Sequence, residues 1–213
     1  MIKTYPSIEE LKLDSNKSTI ICDADEVIFD FMNEFLMFLK KKKLFFNWKS
    51  YALTGNIFKD NNHSLDEIEV KELINNFFLN CAYEMKLVTG AFKTLNFLSK
   101  NFNIIVLSNI PFEYYELRKK ALIKNNLDFP FLANSGEKGD ASYKIFNILG
   151  NETWFIDDSP YQVYSVKTRE PKIKTILFIA NDKLAKLITY KKKYDFYTTS
   201  WYENKKILLK QFI

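Results

Sequence analysis

The chain has 213 residues, 47% of them apolar, which suits one domain with at most a modest insertion. Two cysteines exclude a disulfide scaffold and favour a reducing, cytoplasmic setting, while a single histidine argues against His-based metal sites and Ser/His triads. The net charge of +5 draws on lysine clusters at 40–43 and 191–193 that read as solvated surface, and no apolar run approaches the ~18 residues of a membrane span, so neither nucleic acid nor membrane is expected as a partner.

The first apolar, β-rich run is 19–22, and it ends in Asp23-Ala24-Asp25. Phe31, Phe35, Phe38 and Leu39 then recur at helical spacing. Tyr51-Ala-Leu-Thr54-Gly55-Asn56 interrupts that pattern, and its polar groups, Thr54 and Asn56 among them, are candidates to line a substrate pocket. Trp48 and Tyr51 read first as core packing of this segment and, as the alternative, as rings that stack on a base; His63 reads as an exposed loop residue. Val70, Leu73, Ile74, Phe77 and Phe78 mark a second helix behind an expected capping box, Ser64-Leu-Asp-Glu67.

A helix over 90–99 leads to an apolar strand, 104–107, that ends in Ser108-Asn109. Helices are predicted over 113–124 and 141–149, then a strand at 154–156 that ends in Asp157-Asp158. A strand at 176–179, a helix over 182–190 and a C-terminal helix carrying Trp201, Tyr202 and Phe212 complete the series. Continuous apolar strands alternating with helices predict an α/β fold, a Rossmann-like parallel sheet flanked by helices.

About 80 residues separate the first two strands, where a crossover needs about a dozen. Residues 30–87 are therefore expected to form a small, mostly helical cap, with 1–29 and 88–213 as the core. Ligands in such folds bind beyond the carboxyl ends of the strands. That edge would gather Asp23, Asp25, Ser108, Asn109, Asp157 and Asp158. So many carboxylates repel unless a cation sits among them, and oxygen-only ligands suit Mg²⁺. Lys138, in Gly136-Glu-Lys138-Gly139, and Lys144 are the alternatives for a lysine that separates the acids and binds a phosphoryl oxygen. Taken singly, each signal has a plainer reading: Asp23 and Asp25 as an acidic turn, Asp157-Asp158-Ser159-Pro160 as a helix cap, Lys138 as a surface residue.

In order, these segments resemble the four motifs of the haloacid-dehalogenase-like (HAD) hydrolase superfamily: Ile20-Ile-Cys-Asp23-Ala-Asp25-Glu-Val27, Ile104-Ile-Val-Leu-Ser108, Lys138 and Trp154-Phe-Ile-Asp157-Asp158. The likeness extends to bacterial members with a Gly-x-Lys-Gly third motif. Asp23 to Phe31 is also locally similar to the start of 5′(3′)-deoxyribonucleotidases, which carry a helical cap after the first strand. The resemblance implies a phosphatase in which Asp23 attacks phosphorus to form an aspartyl-phosphate, and Asp25 serves as acid and then base. Ser108 and Lys138 would hold the phosphoryl oxygens, and Mg²⁺ would be held by Asp23, the Asp25 carbonyl, Asp157 and Asp158. Many members have Gly after the second Asp, where this chain has Glu26, which narrows the space beside the nucleophile. The expected function is Mg²⁺-dependent hydrolysis of a small phosphorylated metabolite, a nucleotide or a sugar phosphate. The alternative is a catalytically silent phosphate-binding or scaffold protein.

Overall fold

The structure is a computed structural model that describes residues 4–60, 63–188 and 193–210. In chain order its elements are β1 (Thr4–Tyr5), β2 (Ser18–Cys22), α1 (Phe31–Lys41), β3 (Phe45–Phe46), β4 (Ile57–Phe58), α2 (Glu67–Cys81), α3 (Ala91–Leu98), β5 (Phe102–Ser108), α4 (Tyr115–Lys124), β6 (Phe131–Asn134), α5 (Gly139–Leu149), β7 (Thr153–Asp157), α6 (Pro160–Arg169), β8 (Lys174–Phe178), α7 (Asp182–Ala185), β9 (Phe196–Thr198) and α8 (Trp201–Leu209). Short 3₁₀ turns lie at Ile8–Glu10 and Phe112–Tyr114.

Seven strands form one sheet in the order β1-β6-β5-β2-β7-β8-β9, parallel except for β1. The strands β2, β5 and β7 are buried almost end to end, the expected state of a sheet covered on both faces. The chain runs from β2 to β5 and β6 on one side, then returns to β7, β8 and β9 on the other. This reversal makes β2 the switch point, where a crevice opens beyond the strand ends. Register fixes the edge: Cys22 pairs with Val106 and with Ile156, so Asp23, Ser108 and Asp157 all leave the sheet on the same side.

Between β2 and β5, α1 and α2 share an aromatic cluster. Phe77 sits edge-on to Phe31, Phe35 and Phe38 at centroid distances of 5.1, 5.2 and 5.4 Å. The segment leaves and re-enters at one place: the Asp30 N–H donates to the Lys86 carbonyl, and the Val88 N–H donates to the Ile28 carbonyl, both at 2.9 Å. The loop between α1 and α2 also carries the β3–β4 hairpin, which the helical reading of the segment missed.

Several boundaries shift from those predicted. The box on α2 uses Asp66 and Glu69 rather than Ser64 and Glu67, because the Ser64 backbone bridges to Phe58 and the helix starts later. The helix expected from 113 is a 3₁₀ turn followed by α4 from Tyr115. α7 ends at Ala185; Tyr190, like Phe212, lies outside the described residues. Trp201 is buried against Phe178, whereas Tyr202 on the same helix is exposed. His63 is exposed, as expected, and Cys22 in β2 is buried. Among the described residues no helix is long and apolar enough to cross a membrane.

Candidate active site

The loop after β2 is wound tightly. The Ile28 and Phe29 N–H groups both donate to the Ala24 carbonyl at 2.8 Å, and the Glu26 N–H donates to the Phe29 carbonyl at 2.8 Å. Glu26 takes a left-handed backbone, φ 61°, which is uncommon for a non-glycine residue. Its carboxylate turns inward and accepts from the Met32 N–H in the first turn of α1. Burial pushes the Glu26 carboxyl up to about 7 against that hydrogen bond. Trp201 on α8 fastens the loop from below: its indole N–H donates to the Val27 carbonyl at 2.9 Å.

Asp23, Asp157 and Asp158 converge at the sheet edge, with one carboxylate oxygen from each lying within 4.8 Å of the others. All three are buried. Lys138 projects between two of them, its Nζ 2.7 Å from Asp157 Oδ2 and 2.6 Å from Asp23 Oδ1. The two carboxylates therefore share one ammonium, and Asp23 Oδ1 meets no other donor among the described residues. Burial pulls the Lys138 ammonium down, but Asp157 and Asp23 outweigh it and the group is held charged. Burial also raises Asp157 and Asp158, and each is raised further by its carboxylate neighbours.

One ammonium does not balance three buried carboxylates. The shortfall of positive charge and the oxygen-only donor set fit a divalent cation held by Asp23, Asp157 and Asp158. Asp25 differs: its carboxylate stands outside this cluster.

Asp25 pairs with Arg118 on α4, whose Nη2 donates to Oδ1 at 2.6 Å. The guanidinium is fully buried and lies over the Phe29 ring, 4.4 Å from its centroid. Burial raises the Asp25 carboxyl, and Arg118 opposes that rise. Arg118 was not foreseen as a site residue. Its signal was compositional: it is one of two arginines in a chain whose other cations are lysines, and a planar donor fork favours buried carboxylate pairing.

The lysine is placed by its neighbours. The Lys138 N–H donates to Gln162 Oε1 at 2.8 Å, and Gln162 Nε2 donates to the Gly136 carbonyl at 3.2 Å. Gly139 follows where α5 meets α6, and a Cβ there would lie 2.7 Å from the Ser165 carbonyl oxygen. Lys144, the alternative, points away and pairs with Glu9. Ser108 is buried at the end of β5. Asn109 reaches the cavity wall, but its side-chain amide is engaged. Its Nδ2 donates to the Gly136 carbonyl at 2.8 Å, and its Oδ1 accepts from Asn134 at 2.7 Å.

A cavity of about 330 Å³ opens over this cluster, lined by Asp23, Asp25, Glu26, Ser108, Asn109, Lys138, Asp157 and Asp158 and by side chains of the α1–α2 segment. Thr54 and Asn56 do not line it. Thr54 is exposed, and Asn56 is buried with its amide spent on the loop itself, donating to Ser50 Oγ at 2.8 Å and the Ala52 carbonyl at 2.6 Å. The residue of this loop that does reach the cluster is Tyr51, expected to pack in the core of the segment or to stack on a base. Its hydroxyl lies 2.6 Å from Asp158 Oδ2 and 2.8 Å from the Asp158 carbonyl oxygen.

No known family profile and no curated protein matches the sequence. Solved structures do match. A HAD family hydrolase from Deinococcus radiodurans, with bound phosphate and sodium, superposes with a TM-score of 0.64 at 14% identity over 92% of this chain and 97% of that one. A haloacid dehalogenase-like hydrolase from Streptococcus pneumoniae gives 0.59 at 13% identity over 93% and 99%. The fold is that of the HAD-like hydrolases. A predicted phosphoglycolate phosphatase from Haemophilus somnus shares it too, with a TM-score of 0.60 at 15% identity over 92% of this chain and 100% of that one. Identities this low carry the HAD-like fold and not the chemistry, which has to be argued from the side chains themselves.

Proposed function

We propose that the chain is a Mg²⁺-dependent phosphomonoester hydrolase that works through an aspartyl-phosphate on Asp23. The observation that carries this reading is the buried cluster of Asp23, Asp157 and Asp158 with Lys138 at its centre, on a HAD-like fold. A carboxylate oxygen of Asp23 attacks phosphorus, and the bond to the ester oxygen breaks. Asp25, in its acid form, gives its proton to the departing oxygen. It then takes a proton from water as that water attacks phosphorus, which frees inorganic phosphate and restores Asp23. Ser108 and Lys138 hold the phosphoryl oxygens. Mg²⁺ held by Asp23, Asp157, Asp158 and the Asp25 carbonyl supplies positive charge against the nucleophile and the phosphate. The α1–α2 segment, residues 30–87, serves as the cap that covers the site.

The test is hydrolysis of an aryl phosphate with Mg²⁺ by the wild-type protein and by Asp23→Asn. Turnover in the wild type and none in the variant is expected. Equal turnover in both would remove Asp23 from the mechanism, and Mg²⁺-dependent phosphate binding without turnover on any ester would favour the silent binding protein instead.

A further inference from the structure

The lining of the cavity falls into two chemically distinct sets. One holds the carboxylates, Ser108 and Lys138. The other is apolar: Phe31 and Met32 from α1, Leu53 from the loop, Ile74 and Phe78 from α2, and Leu184 from α7, while the polar side chains that also line the cavity, Tyr51, Asn109, Ser159 and Gln162, already hydrogen-bond to Asp158, to Gly136 and Asn134, to the Gln162 N–H, and to Lys138 and Gly136. Among the described residues that line the cavity, Lys138 is the only cation. It is already committed to Asp23 and Asp157 at 2.6 and 2.7 Å. Lys183, next to Leu184 in sequence, turns to the Trp48 ring at 5.2 Å and lines a separate cavity. Beside the acidic cluster and Asp25, the ionisable side chains of the lining are Glu26, whose carboxylate accepts from the Met32 N–H, and Tyr51, whose hydroxyl meets Asp158; neither is a cation.

Resting on the phosphohydrolase reading above, we infer that the substrate is a phosphomonoester whose leaving group is uncharged and largely apolar, about one ring or a short chain in size. A second anion on the substrate, a carboxylate or another phosphate, would lie against apolar side chains and Glu26 with no free cation among the described lining residues to meet it. The many hydroxyls of a sugar would face Phe31, Met32 and Phe78 with too few partners. An aromatic or alkyl group instead buries its surface against that wall. The volume, about 330 Å³, stands at the small end of the ~300–1,000 Å³ range of ligand sites and has to hold the phosphoryl group as well.

A matched pair of esters isolates the effect of charge: benzyl phosphate against its 4-carboxybenzyl counterpart, with glucose 6-phosphate as the polar neutral ester. Wild-type kcat/KM for benzyl phosphate is expected to exceed both others by at least about 10-fold. Ile74→Lys places a cation on the wall and is expected to narrow or reverse the benzyl to carboxybenzyl ratio. Equal or faster turnover of the carboxylated ester or of glucose 6-phosphate by the wild type overturns the inference and leaves the phosphohydrolase reading intact. If Ile74→Lys does not fold, the wild-type comparison decides alone. Absence of turnover on every ester overturns the phosphohydrolase reading, and this inference with it.

Discussion

Arg118 Nη2 and Asp25 Oδ1 lie 2.6 Å apart, joining the middle of α4 to the loop that follows Asp23. The arginine is fully buried, while the Asp25 side chain keeps 19% of its exposure toward the cavity. The pair therefore orients Asp25 from behind and leaves its front open to a substrate. Arg118 is a positioning residue in this arrangement.

Replacing Arg118 with Met leaves Asp25 unpaired in a mostly buried place. Loss of one partner of a buried pair costs about 3–5 kcal/mol, and the low end applies because Asp25 keeps some solvent. The same change leaves the burial of Asp25 unopposed, so its carboxyl holds a proton to higher pH. The whole pH–rate profile is expected to move to the alkaline side, together with a lower thermal midpoint. Arg118→Lys restores charge without the planar fork and is expected to recover only part of both. A profile that stays in place while the midpoint falls would make Arg118 structural alone.

Metal linkage is the second expectation. A cation that binds the folded cluster and not the unfolded chain stabilises by an amount set by its concentration, about 2.7 kcal/mol at 100 times Kd. Mg²⁺ added to chelator-treated protein is expected to raise the unfolding midpoint. Asp157→Asn and Asp158→Asn are each expected to remove most of that rise. Isothermal titration and thermal melts read it without reference to activity.

Tyr51 ties the loop of the α1–α2 segment to Asp158. Tyr51→Phe keeps the ring and removes the hydroxyl, leaving Asp158 without that donor. Hydrogen bonds to charged groups contribute about 1.5–3 kcal/mol, so a loss of that order is expected in denaturant unfolding. A loss below ~0.5 kcal/mol would show that the contact does little to hold the loop on the core.

Glu26 makes a pH prediction with a definite sign. Its folded value is about 7 against an ordinary 4.5, so between those values the folded protein binds more protons than the unfolded chain. Stability from this group is intact below about pH 4.5 and falls as pH rises toward 7. Glu26→Gln keeps an acceptor for the Met32 N–H and cannot ionise. The metal-free variant is expected to be the more stable protein at pH 8, by up to about 3 kcal/mol, and to match the wild type near pH 4. Parallel stability curves across that range would show that Glu26 does not titrate in the fold.

Much of this architecture was legible in the residues. The strands β2, β5, β7 and β8 announce themselves because both faces are covered and their sequences run apolar without a break. Short edge pieces did not: β1 has two residues, and β6 and β9 mix polar and aromatic positions in four and three. The positions of Asp23, Ser108, Asp157 and Asp158 could be anticipated because strand ends in a parallel sheet share an edge. Arg118 carries only the mark of a scarce arginine, since it lies inside a helix whose outward charges give it no positional pattern. Thr54 and Asn56 misled because a polar loop residue can serve the loop itself, as the Asn56 amide does, while Tyr51 crosses to Asp158.

The indole of Trp201 closes the loop after Asp23 through a hydrogen bond that spans 174 positions of sequence. On a ribosome Trp201 is made 174 residues after Val27, and β2 itself sits between strands made more than 75 residues later. The loop after Asp23 thus stays unbraced while the 174 residues up to Trp201 are being made. Assembly of the acidic centre is therefore a late event, and a nascent chain carrying Asp23 has the carboxylate long before it has the geometry to use it.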